Sequence, residues 1–269
     1  MNCCCAKKGI CEATGDFVAW VDADDWIETD YIEQLMALQS ESKAQIVAVA
    51  HYHDIGNTSV KVKNGIKNGV YDVCDLIDTM LYNGKFYEYG IGPHLCTKLF
   101  DTEIIKEAQR DIPENIFAGD DAAITYTSIL KCEKVHISDI AGYHYVQNPG
   151  SITKVEYSNE YSRVQELIEY LELTFKKNKV WNRTQRQLQI YKNYLLILRQ
   201  VEVFDKDSTN ILTPYGGIKS TDKVIIYGAG VLGQKIYKYL KGKRLILLHG
   251  LIKIVIHIRQ RDIVLTMRV

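Results

Sequence analysis

Gly15-Asp16-Phe17-Val18-Ala19-Trp20-Val21-Asp22-Ala23-Asp24-Asp25-Trp26 is the stretch on which the fold turns. Phe17 to Val21 is an apolar run of β-branched and aromatic residues, the mark of a buried strand. It stops at once in three acids, Asp22, Asp24 and Asp25. Two residues apart on an extended chain, Asp22 and Asp24 point to the same side, and carboxylates held together repel unless a cation or protons intervene. Hard oxygen ligands of this kind suit Mg²⁺ or Mn²⁺, which bind through one or two carboxylates plus the phosphates of a substrate. A second reading of the same residues is structural: Asp24 or Asp25 at a helix start accepts from free backbone N–H groups. The residues alone leave both open.

Working outward, 269 residues with 46% hydrophobic content suffice for one substantial core and a smaller second one. Lys plus Arg and Asp plus Glu balance at 33 each, so the chain offers no electrostatic case for a nucleic-acid partner. The seven cysteines, at 3, 4, 5, 11, 74, 96 and 132, are odd in number and lack paired CxxC spacing. That argues against a disulfide framework and a structural zinc site, and fits reduced thiols in a cytoplasm. No apolar run is long enough to cross a bilayer.

Downstream, Tyr31, Ile32, Leu35, Met36 and Leu38 recur at helical spacing and predict a helix over 31–39. Gln45–Tyr52 reads as a buried strand, with His51 and His53 alternating at its end. The polar 57–71 stretch predicts a loop or weak hairpin, and Asp72 an N-cap for a helix over 73–82. Phe86, Tyr87 and Tyr89 are aromatic faces able to stack on sugar rings or to pack. Thr102 is read as the cap of a short helix, and Lys134–Ile137 and Gly142–Val146 as two short strands. Gly119-Asp120-Asp121 precedes a helical run over 122–130, where a glycine turn and a helix dipole accommodate two acids.

Taken with Gly9-Ile10-Cys11-Glu12-Ala13-Thr14, the opening stretch resembles the signature of the family-2 glycosyltransferases, Gly-x-Phe/Tyr-hydrophobics-Asp-x-Asp-Asp-Trp. Three later segments resemble that family too: His94 to Phe100, ending in Lys-Leu-Phe; Phe117-Ala118-Gly119-Asp120-Asp121; and Tyr143-His144-Tyr145 leading to Ser151-Ile152-Thr153. The resemblance implies an α/β fold with an incomplete GT-A, Rossmann-like catalytic unit, inverting transfer from a nucleotide-diphosphate sugar to a glycan hydroxyl, and Mg²⁺ or Mn²⁺ as cofactor. By the same resemblance Asp22 and Asp24 hold the metal and donor with Asp25 in support. Asp121 is the catalytic base, while Asp120, Lys98 and Trp26 serve the acceptor or support the site. Lys98 is expected to meet a phosphate or a carboxylate. His144 is set against a metal or diphosphate contact on one side and a plain edge-strand role on the other.

The implied setting is cell-envelope or capsule polysaccharide synthesis, with a glycan or lipid-linked saccharide acceptor, in the cytoplasm at the inner face of the membrane, with peripheral membrane association. The family places a βαβ half ahead of this point and an Arg where Ala6 stands, so the chain is expected to be the later portion of a longer enzyme. The alternative is an inactive remnant acting as a binding or association module. The expected organisation is a partial GT-A domain over 1–155, a helical hairpin over 156–204, a linker over 205–222 and a truncated Rossmann-like module over 223–269 with an aberrant tail. In the last, strand Lys223–Tyr227 runs into Gly228-Ala229-Gly230-Val231-Leu232-Gly233, a strand–turn–helix context in which Gly228, Gly230 and Gly233 let backbone approach a pyrophosphate.

Overall fold

In a computed structural model of the chain, the described residues are 8–85, 88–116, 119–147, 159–198, 223–227, 237, 246–250 and 263–266. Contacts divide the chain into two units, Met1–Lys192 and Asn193–Val269.

The apolar opening run forms strand β1, Phe17–Ala19, shorter and less buried than expected: all three residues are half-buried. The reason is its place at one end of the sheet path, where among the described residues it pairs only with β6, Lys98–Asp101, and antiparallel. Past β1 the chain makes a turn, with the Asp25 N–H donating to Asp22 O at 3.1 Å, and enters β2, Trp26–Ile27. Asp22 and Asp24 therefore flank a turn and do not share the face of an extended strand, which corrects the geometry expected from their spacing.

Helix α1, Tyr31–Ser42, buries Tyr31 and Leu35 and ends at Lys43 in the left-handed conformation, φ 55°. Strand β3, Ile46–Ile55, is the centre of the sheet; its Ile, Val and Ala residues are buried through Ala50. Gly56, at φ 59°, turns it into β4, Thr58–Val62, an antiparallel hairpin. The path runs β1-β6-β3-β7-β2, with β4 on β3 and β5, Gly69–Asp72, on β7. Among the described residues, β3 and β7 pair in parallel and the other pairs of this sheet are antiparallel.

Strand β7 is one continuous strand, Lys134–Val146, where two short ones were expected. Its partner register slips between Ala48 and Ala50 and again between Ala50 and Tyr52 of β3, so the Ser138–Gly142 stretch absorbs extra residues as bulges instead of leaving the sheet. Helix α2 covers only Val73–Leu76, and Asp72 makes no side-chain cap. The expected continuation to 82 is replaced by a side-chain clamp. Gln187 accepts from the N–H groups of Leu81 and Tyr82 at 3.1 and 3.4 Å, and donates to Ile77 O at 2.7 Å. Helix α3, Thr102–Asp111, is capped by Asp101, whose Oδ1 accepts from Glu103 and Ile104 N–H; Thr102 instead donates its hydroxyl to Gly15 O at 2.6 Å, fastening β1's entry.

Helix α4, Asp120–Ile129, is buried from Ala122 to Ile129 and packs on α3 and on α5, Glu160–Lys177. Helix α6, Trp181–Leu198, follows. The core between α1 and the sheet is Tyr31, Leu35, Val47, Val49, Cys96, Leu99 and Tyr143. Each Leu or Val side chain among them, taken from water, contributes about 1.5–3 kcal/mol, and the Tyr143 hydroxyl joins this cluster to the acidic turn. In the second unit β8, Lys223–Tyr227, lies between β10, Ile263–Thr266, and β9, Ile246–Gly250, all parallel. Val224 and Ile226 are buried. Gly228, Gly230 and Gly233 lie outside the described residues, as do Ala6, Phe86, Tyr87, Phe117, Ala118 and 148–158.

Candidate active site

Three segments bring the site's acids together: the Asp22–Asp25 turn after β1, the Leu95–Thr97 helical turn before β6, and the first turn of α4. Asp22 reaches solvent, yet loss of water around its carboxyl, and then the charges of Asp25, Asp24 and Asp120, raise its pKa above the usual carboxylate value. Asp24 is exposed. Asp25 is differently placed, because both of its oxygens are taken by β7: Oδ1 accepts from Val146 N–H at 2.8 Å and Oδ2 from the Tyr143 hydroxyl at 2.5 Å.

Gly119 forms the turn into α4 at φ 78°, a conformation only glycine adopts cheaply. A Cβ there would also sit 2.5 Å from Leu167 Cδ2. Asp120 and Asp121 are then the first two residues of the helix, where free N–H groups and the dipole favour negative charge. Burial wins over that benefit. It pushes the Asp121 carboxyl up to about 7, with Asp120 and Asp22 adding to the rise, and the Leu95 N–H donating to Oδ2 at 3.3 Å and Lys98 opposing it. Asp120 is raised as well, again chiefly by burial.

Lys98 corrects an expectation. It is fully buried, and its ammonium donates to Gly92 O and His94 O, both at 2.6 Å, and to Thr97 Oγ1 at 3.3 Å. That makes it the fastener of the 92–97 loop, with no face left for a phosphate. Burial lowers its pKa to about 8, opposed by Cys96 and Asp121. Because Leu95 lies within the fastened loop, Lys98 also holds the N–H that orients Asp121. Cys96 is buried, its thiol pushed up to about 12 by burial and by the Asp121 and Asp22 charges. It lies among the site's acids.

Trp26 is half exposed, at 49%, and stacks flat on His144 with ring centroids 3.5 Å apart; His144 stacks in turn on Tyr52 at 4.8 Å. His144 Nδ1 meets Asp54 Oδ2 at 3.0 Å and its Nε2 lies 3.6 Å from Glu28 Oε1. These contacts make His144 an anchor for Trp26. His51 and His94 are held neutral, lowered to about 3 and about 4 chiefly by burial, with Lys98 adding to both, and their rings lie 5.6 Å apart. His53, also lowered by burial, lies 4.9 Å from His51. Tyr89 packs edge-on against His94 and Tyr191.

The residue that sequence reasoning missed is Tyr143. Its hydroxyl accepts from Asp22 N–H at 3.2 Å and donates to Asp25. The available signal was its place in the Tyr143-His144-Tyr145 triplet, but burial of Tyr143 beneath the acidic turn depends on the bulged register of β7.

Among the described residues no group of three or more His, Cys, Asp or Glu is arranged to hold a metal by itself. Asp22 and Asp24 are of the type that suits the other mode of divalent binding, in which one or two carboxylates would share the ion with phosphates of a ligand. Besides burial, the charges of Asp25, Asp24 and Asp120 raise the Asp22 carboxyl, and a cation there would offset that repulsion.

Residues 6–97 match the family model described as Glycosyl transferase family 2. A poly(ribitol-phosphate) beta-glucosyltransferase of Bacillus spizizenii is 27% identical over 160 residues, covering 58% of this chain and 23% of that protein. Glycosyltransferase GlyA of Streptococcus pneumoniae is 25% identical over 154 residues, covering 55% and 21%. The chain thus spans under a quarter of the length of these curated relatives. A crystal structure of S. aureus TarS 1-349 in complex with UDP-GlcNAc is similar at a TM-score of 0.44 and 19% identity, over 73% of this chain and 61% of that one; so distant a likeness places no residue.

Proposed function

We propose, from the match of residues 6–97 to the family model described as Glycosyl transferase family 2, that the chain moves a sugar, with inversion, from a nucleoside-diphosphate donor to a hydroxyl of a cell-envelope glycan. The observation that carries the reading is Asp121: a carboxyl at a helix N-terminus with its pKa raised to about 7, facing the charges of Asp120 and Asp22. A base poised near neutrality suits the abstraction of a hydroxyl proton.

In this reading Asp22 and Asp24 hold the diphosphate through Mg²⁺ or Mn²⁺, which when bound neutralises the charge of the departing nucleotide. Asp25 does not ligate; it keeps the turn on β7. Asp121 Oδ2 stays on the Leu95 N–H, and Oδ1 takes the proton of the acceptor hydroxyl as it attacks the sugar's anomeric carbon. Asp120 orients the acceptor. Trp26, rigid on His144, offers its exposed indole face to an acceptor ring. The implied domain boundaries, the nucleotide role of Gly228, Gly230 and Gly233, and action at the inner membrane face belong to the same proposal; for the last, among the described residues no helix is long and apolar enough to cross a membrane.

The test is calorimetric titration of UDP and of GDP with Mn²⁺ into wild type and into Asp24→Ala. Metal-dependent heat with one nucleotide that is lost in the variant supports the reading. No heat with either, from a folded sample, overturns it and favours the association module.

A further inference from the structure

Asp22 and Asp24 are exposed residues of the turn, which raises the question of what keeps the turn in place. Among the described residues, the hydrogen bonds that tie 22–25 to the rest of the fold end on two residues of β7. The Tyr143 hydroxyl accepts from the Asp22 N–H and gives its own proton to Asp25 Oδ2, and the Val146 N–H donates to Asp25 Oδ1. Tyr143 itself cannot shift. Its ring is wholly buried, in the cluster of Tyr31, Leu35, Val47, Val49, Cys96 and Leu99, and lies edge-on to Tyr31 at 6.2 Å. Tyr31 is pinned in turn by its hydroxyl to Cys96 O at 3.0 Å. A tyrosine buried this deeply needs a partner for its hydroxyl, and here the partner is the turn.

We propose that Tyr143 is the positioning residue of the donor site, its hydroxyl bolting the Asp22–Asp25 turn to the core so that Asp22 and Asp24 are preset for a cation and a diphosphate. The proposal rests on the donor role given to those two acids above. A preset pair loses less freedom on binding than a mobile one, and a hydrogen bond to a charged group is among the stronger ones in a protein.

The test uses Tyr143→Phe, which keeps the ring and its packing and removes the bolt. Amide hydrogen exchange read by NMR is the first arm. We expect the Asp22 amide to exchange about tenfold faster or more in the variant, while the Val47 and Leu99 amides inside the sheet keep their protection. The second arm is the Mn²⁺ concentration for half-maximal UDP binding, expected to rise about tenfold, with the near-neutral pH response of the Asp121 carboxyl unchanged. An Asp22 amide exchanging as in wild type overturns the proposal, and so does a freed amide with unaltered Mn²⁺ dependence. Should Tyr143→Phe not fold, Asp25→Ala removes the acceptor that orients the Tyr143 hydroxyl; an Asp22 amide that stays as protected as in wild type, or unchanged Mn²⁺ dependence, overturns it equally. Wild type that binds no Mn²⁺ and UDP at all refutes the donor reading, and the exchange arm still decides whether Tyr143 holds the turn.

Discussion

Replacing Asp121 by Asn should make the protein more stable while disabling it. The Asp121 carboxyl has a pKa of about 7 in the folded chain against an ordinary value of 3.8, so the folded state holds this proton more tightly than the unfolded chain does. Below pH 4 the group is neutral in both states and costs nothing. As pH rises through the window between those two values the unfolded chain ionises first, and stability falls until the folded carboxyl ionises too. Above that window the full shift corresponds to about 4 kcal/mol, and water reaching the half-buried group trims this to ~2–4 kcal/mol. The amide of Asp121→Asn would carry no such cost, and its oxygen still accepts from the Leu95 N–H. Urea unfolding at pH 5 and pH 8 is the assay. The variant should be more stable at both, with the gap at pH 5 less than half of that at pH 8. Turnover should fall by about 10²–10⁴, the usual worth of a general base, with donor affinity kept. A gap that does not change with pH, or a variant less stable than wild type at pH 8, refutes the assignment of a raised pKa to this carboxyl.

Gly119→Ala forces a side chain into a φ of 78° and a Cβ to 2.5 Å from Leu167 Cδ2; it should lose roughly 1–3 kcal/mol in urea unfolding, and turnover with it because α4 carries Asp120 and Asp121. Lys98→Met leaves the Gly92 and His94 carbonyls without their donor, which should cost about 2 kcal/mol net of the buried charge removed. It also withdraws the cation that opposes the Asp121 rise, so the acid limb of the pH–rate profile should move to higher pH.

How far the sequence showed all this depends on the length scale of each feature. Helix α1 was legible because its apolar residues keep the helical period, and strand β3 because Ile46 to Ala50 is an unbroken run of Ile, Val and Ala. The acidic stretch was legible as a site but not in its shape, since alternation assumes an extended chain and the Asp22–Asp25 hydrogen bond makes a turn. Strand β7 was split in two because Ser138, Asp139 and Gly142 look like loop residues. In the sheet they occupy bulges, and Gly142 lies where a Cβ would stand 2.9 Å from Tyr31 Cδ2. That slip decides which face Tyr143 takes, and no local pattern records it. The shortened α2 and the burial of Lys98 share a cause: their partners, Gln187 in one case and the carbonyls of a loop in the other, are chosen by tertiary packing. Resemblance located Asp121; its raised pKa needed the burial that only the fold supplies.

The central claim is that a cation and a nucleoside diphosphate meet at the Asp22–Asp25 turn, opposite Asp121. Paramagnetic broadening of amide signals by Mn²⁺, with UDP or GDP, whichever binds, at saturation, locates the ion directly. The account predicts that the amides of Asp22 to Asp25 broaden first and those of Leu95 and Asp121 next. Broadening centred elsewhere, on the His51, His53 and His94 group for instance, would contradict it.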